Sequence, residues 1–159
     1  MGKRADEALA LFMEGFSCAQ SVFAAFADLY DIDRDTALKL SSSFGAGIGR
    51  MRETCGAFSA LAMITGLETG CTDPTDAQGK ADNYAKVQEL AARFREFNGS
   101  LSCRELLQLT EEEKQAQTHV PDERNEQYYA SRPCARIVFR AALIGEEAFC
   151  QSKERPADS

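Results

Sequence analysis

Four of the six cysteines stand where a helix is expected to begin. In "FSCAQ", Ser17 is a good N-cap and Gln20 follows at capping-box spacing, so Cys18 is expected as the first helical residue. "LSCRE" repeats the pattern with Ser102, Cys103 and Glu105. In "ETCGA", Thr54 reads as the cap and Cys55 as the first helical residue, without the box. In "RPCAR", Pro133 suits the first helical position, which puts Cys134 second. The opening turn of a helix exposes unpaired N–H groups and the positive end of the dipole. A thiolate there is stabilised, and its pKa can fall from about 8.5 towards roughly 3.5–7.5. Arg50 and Arg52 precede Cys55, Arg104 follows Cys103, and Arg132 and Arg136 flank Cys134; each could add to the effect. Such thiolates serve as nucleophiles or as metal ligands. The plain alternative is that these cysteines are small core hydrophobes and the arginines surface charges. Cys71, in a turn, and Cys150, near the end, are assigned to packing.

Other chemistry-bearing patterns are sparse. No CxxC occurs, so neither a thioredoxin-like site nor a zinc knuckle is encoded locally. His119 is the single histidine and sits among polar residues, which disfavours histidine acid–base catalysis or a histidine-rich metal site. "GAGIGR" (45–50) follows a helix and lacks a P-loop lysine, so it reads as a tight connection between helices. "TEEEK" reads as a solvated helix start, with Glu113 boxing Thr110.

The elements that must position these cysteines are helical throughout. Of the 159 residues, 44% are hydrophobic, enough for one domain with its own core. Apolar spacing and caps predict helices over 4–14, 18–29, 34–43, 55–67, 76–97, 103–108, 111–117 and 134–149. "VPDERNEQYYASRP" is the least regular stretch, and "QSKERPADS" (151–159) reads as a flexible tail. The expected fold is a single all-α bundle of about seven helices over residues 1–150. The net charge of −7, with basic residues scattered, argues against nucleic-acid binding. The N-terminus lacks an apolar signal core, and no stretch reaches the roughly 18 apolar residues of a membrane span. A cytoplasmic protein is expected, where repeated cysteines point to metal, redox chemistry or packing rather than to structural disulfides.

"EGFSCAQSV", "SSFGAGIGRMRETCGAFSALAMITGL", "SCRELL" and "RPCARIV" together resemble the C_GCAxxG_C_C family, described as putative redox-active proteins. The resemblance runs from about residue 6 to residue 145, and the four hallmark cysteines match Cys18, Cys55, Cys103 and Cys134. Cys71 and Cys150 have no counterpart. The hallmark CGAxxG reads "CGAFSA" here, with Ala60 in place of the last glycine. Similar domains accompany haem modules in split-Soret cytochromes, where an iron–sulfur centre has been proposed. The chain lacks C-x-x-C-H, so covalent haem is not expected.

These observations lead to one expectation and a rival. Cys18, Cys55, Cys103 and Cys134 converge at one end of the bundle, with Gly45, Gly47, Gly49 and Gly56 permitting close packing around them. The site then works either by thiol–disulfide exchange or as a metal centre, a [2Fe–2S] cluster or Zn²⁺ on the four cysteines. Gly56 and Arg50 are the residues expected to contact a bound cofactor. A redox partner is expected without being specified by the sequence, and a homodimer is compatible with this. The rival is a binding or scaffold module in which the apolar helix 55–67 forms the interface.

Overall fold

Short local signals start and stop the first helices. In the computed structural model, which describes residues 2–151, α1 (Lys3–Glu14) ends at Gly15, whose φ of 113° only glycine adopts readily. The expected tail lies outside the described residues, apart from Gln151. In α2 (Cys18–Ala24) the Ser17–Gln20 box forms in full, each side chain bonded to the other's amide. The helix was expected to reach Leu29; instead it ends at Ala24 and tightens into a 3-10 turn, Ala27–Tyr30, closed by Asp31 at φ 55°. Asp33 caps α3 (Arg34–Ser42) by accepting from the Thr36 amide at 3.0 Å.

The remaining helices are α4 (Gly56–Thr69), α5 (Ala77–Asn98), α6 (Cys103–Leu106), α7 (Glu111–Gln115), α8 (Glu126–Ser131) and α9 (Cys134–Phe149). No strand forms among the described residues, so the fold is all-α. α8 corrects the expectation of an irregular segment. Asn125 caps it, and its two tyrosines pack on Phe12 of α1 with ring centroids 6.5 Å and 5.8 Å away. Tertiary aromatic packing stabilises a helix too short to stand alone.

Three expected caps also need correction. Thr54 caps nothing; it pairs with Ser102 in an antiparallel bridge, and Cys55 itself becomes the N-cap of α4. Pro133 is the N-cap of α9, so Cys134 is first rather than second. The Ser102–Glu105 box does not form, because the Glu105 carboxylate accepts from the Ser100 hydroxyl instead.

α1 packs on α2 and α9, α2 on α3 and α4, and α4 on α5 and α9. Phe12, Val22, Phe26, Leu61, Ile64, Val138 and Ile144 form the fully buried centre. In α4, Ala57, Phe58, Ala60, Leu61 and Ile64 all face this core. Each of the larger three contributes on the order of 2 kcal/mol by burial. Most of the apolar surface of α4 is thus used within the chain, Leu67 being the large apolar side chain it leaves exposed. The methyl of Ala60 is fully enclosed.

Candidate thiol site

Four helices begin around one small space. Cys18 opens α2, Cys103 opens α6, Cys134 opens α9, and Cys55 caps α4. All four line a single cavity of about 20 Å³. None of them is disulfide-bonded. Cys71 and Cys150 lie elsewhere: the Cys71 thiol donates to the Asp73 carbonyl at 3.1 Å, and Cys150 caps the end of α9 in the core.

Backbone pairing brings Cys55 and Cys103 together. The Cys55 amide donates to Leu101 and the Cys103 amide to Glu53, both at 2.7 Å, flanking the Thr54–Ser102 bridge. Behind this clip the chain runs left-handed, with Ala46, Gly47, Ile48, Gly49 and Arg50 at φ between 54° and 75°. For a non-glycine residue this conformation costs roughly 1–2 kcal/mol. It is fixed by bonds from the Arg52 amide to Ala46 and the Glu53 amide to Gly47. A Cβ on Gly47 would lie 2.7 Å from that of Cys103, and one on Gly56 would lie 2.8 Å from the Phe44 carbonyl. Both glycines therefore let backbone close around the thiols. Gly45 lies equally close to Ser17, whereas Gly49 has open space and serves the turn alone.

A second cavity of about 420 Å³ opens beside the first, lined by Cys18, Cys103 and Cys134 but not by Cys55. Arg50, Arg52, Arg124 and Arg132 surround it. Arg50 Nη2 and Arg132 Nη2 donate to Asp122 Oδ2 at 2.8 Å each, and Arg52 Nη2 does so at 3.3 Å. Arg52 is 4% exposed and also points Nη1 at Cys103 Sγ, 3.8 Å away. Arg124 donates to the Phe12 and Phe16 carbonyls, with its guanidinium stacked over Phe12 and Tyr128. Arg104 and Arg136 are not thiolate partners: Arg104 pairs with Glu53, and Arg136 is exposed. His119 is exposed on the rim. Asp122 and Arg124 were not anticipated. The dense charged and aromatic run "DERNEQYY", with Asn125 positioned as a cap, was the available signal.

The expectation that every helix-start thiol is acidic fails. Burial pushes Cys55 up to about 12 even though the Phe58 and Ala57 amides favour its thiolate. Burial also raises Cys103, outweighing the pull of Arg52. The neighbouring Cys134 and desolvation together hold the half-buried Cys18 well above its ordinary range. Of the four, Cys134 alone is lowered, to about 7, by the neighbouring Cys18 thiol and by Arg132, Arg52 and Arg124, against burial.

The family model described as "Putative redox-active protein (C_GCAxxG_C_C)" matches residues 16–148. The chain belongs to this family. No curated protein and no solved structure shows significant similarity to it. The four hallmark cysteines of the C_GCAxxG_C_C family are thus the four that line the inner cavity. Soft thiolates would suit zinc or an iron–sulfur cluster. Among the described residues, however, no three Cys, His, Asp or Glu side chains are disposed to hold one ion. A space of about 20 Å³ has room for little more than a water molecule. As arranged, the four sulfurs do not fit a metal or cluster.

Proposed function

We propose that this C_GCAxxG_C_C protein works by thiol–disulfide exchange, with Cys134 as the attacking thiolate and Cys18 as the resolving thiol. The observation that carries this reading is that Cys18 and Cys134 both line the inner cavity and the wider, arginine-lined one. The acceptor is a disulfide, R–S–S–R. The Cys134 thiolate attacks one sulfur, forming a mixed disulfide and expelling one thiolate. The Cys18 sulfur then attacks Cys134 Sγ and expels the second thiolate, with its proton passing to a leaving thiolate. The protein dithiol is oxidised by two electrons and the acceptor is reduced to one thiol and one thiolate, the latter taking its proton from water. Arg132, Arg52 and Arg124 favour the attacking anion, while burial holds Cys55 and Cys103 protonated. A thiol of pKa near ambient pH is also the best attacking group.

Peptide mapping after anaerobic purification and titration with a small disulfide tests this. The expected result is reversible loss of two thiols in a Cys18–Cys134 link, absent in Cys134→Ser and Cys18→Ser. A link between other cysteines, or stoichiometric iron or zinc in the purified protein with no loss of thiols, would overturn it.

A further inference from the structure

The wider cavity carries charge that thiol exchange alone does not require. Four guanidiniums line it, and Asp122 is the one carboxylate among its lining residues. This lies on a chain whose net charge is −7, so the cationic pocket stands against its own background. Asp122 Oδ2 already occupies the point where Arg50, Arg52 and Arg132 meet, as the oxygen of a bound anion would. Among the described residues Arg132 donates only that one hydrogen bond, although a guanidinium has five N–H donors. Its plane is held over the Tyr128 ring at 4.4 Å, which fixes the orientation of the remaining donors. Arg124 is fixed between Phe12 and Tyr128 and is paired with carbonyls rather than a carboxylate. The volume of about 420 Å³ suits a small molecule. Cys134 lines the same space.

We propose that the arginine-lined cavity binds a small, carboxylate-bearing disulfide and presents its sulfur–sulfur bond to Cys134. This deepens the thiol-exchange reading and rests on it. Arg132 and Arg50 take the acceptor's carboxylate alongside or in place of Asp122, in the bidentate geometry that guanidinium and carboxylate favour. The covalent steps and their balance are those given above, with the acceptor's two carboxylate-bearing thiols as products. A neutral disulfide reacts at the same sulfur without this docking. Polyanions too large for the cavity gain nothing from the arginines and are repelled by the rest of the surface.

The probes are 3,3′-dithiodipropionate, an anionic disulfide, and 2-hydroxyethyl disulfide, a neutral one. Rates of Cys18–Cys134 oxidation by each are divided by the rates with free 2-mercaptoethanol, which removes intrinsic reactivity. The expected outcome is an anionic-over-neutral preference of about tenfold or more at low salt, shrinking as ionic strength rises. Arg50→Gln and Arg132→Gln should reduce the ratio to within about threefold of unity, while Asp122→Asn, which removes the competing carboxylate, should raise it. The salt dependence is read on the unsubstituted protein, so it stands even if a variant folds poorly. Equal normalised rates, with the Cys18–Cys134 link still forming, would overturn the substrate class and leave thiol exchange intact. A preference that survives high salt or both arginine substitutions overturns it as well. If neither disulfide produces the link, both readings fall.

Discussion

The two cavities place chemically identical side chains at the N-terminal ends of helices and give them opposite properties. Cys55, at the start of α4, borders only the inner space and is held protonated, with its pKa pushed up to about 12. Cys134, at the start of α9, borders both spaces and is lowered to about 7. Helix-start amides act on Cys55 and do not prevail over burial. At Cys134 a donor thiol and three nearby guanidiniums do prevail. A helix dipole contributes roughly 0.3–1 kcal/mol at such a position, while desolvating an ion costs several, so the dipole alone cannot set the outcome.

The sharpest way to break this contrast is to remove the outer thiolate. Cys134→Ser should lower the rate of alkylation by iodoacetamide at pH 7 by about tenfold or more, since about half of a thiol of pKa 7 is ionised there against a few per cent of an ordinary one. The thiols left behind all have raised pKa values or lie apart from the arginines, and only the thiolate reacts. Mass mapping of the first alkylated site checks this directly. A first hit on Cys55 would show that the inner thiol is no better protected than the outer one.

The inner space is best probed through stability rather than reactivity. Gly47→Ala adds a methyl 2.7 Å from Cys103 Cβ and 2.6 Å from the Glu53 amide nitrogen, at a φ of 75°. Overpacking and left-handed strain together should cost about 3 kcal/mol, measured by urea unfolding. Gly49→Ala at φ 56° meets no neighbouring atom and should cost only about 1 kcal/mol from the backbone term.

The Cys18 thiol tests what makes the outer thiolate acidic. Cys18→Ala removes the first cause of the lowered Cys134 pKa and leaves the arginines. The pH profile of alkylation, with a midpoint near 7 in the unsubstituted protein, should move upward. A shift of about one unit would cut the rate at pH 7 by up to tenfold. An unmoved midpoint would assign the effect to Arg132, Arg52 and Arg124 alone.

These contrasts also mark what could be read from the sequence. The Ser17–Gln20 box, the stop at Gly15 and the grouping of Cys18, Cys55, Cys103 and Cys134 follow from local patterns, which depend on residues three or four apart. Thr54 was misjudged because its partner is Ser102, 48 positions away. The left-handed run at Ala46, Ile48 and Arg50 uses residues that carry no signal for it. The sequence placed Arg50, Arg52 and Arg132 beside cysteines but not their convergence with Arg124, because the four meet only through Asp122, Gln117 and the Tyr128 ring. Burial, which decided the chemistry of Cys55, is likewise a property of the packed chain.

The smallest expected effect separates the two thiols by the sign of their pH dependence. Cys134 has a folded pKa below the ordinary value of 9.0, so it adds stability as pH rises from about 7 to about 9 and loses it on acidification through 7. Cys55 has a folded pKa above that value, so its stabilising contribution is intact below about 9 and is lost as pH rises towards 12. Over that window the unfolded chain releases a proton that the folded chain retains, which costs about 1.4 kcal/mol per pH unit for one such thiol. Urea unfolding at pH 8, 9 and 10 of the unsubstituted protein and of Cys55→Ala gives the difference slope, from which tyrosines and the other cysteines cancel. The Cys55→Ala protein should start less stable, because a small cavity replaces the sulfur, yet lose stability more slowly above pH 9. Parallel curves would mean that Cys55 ionises as readily folded as unfolded, and the inner cavity would then be no more protective of its thiols than the outer one.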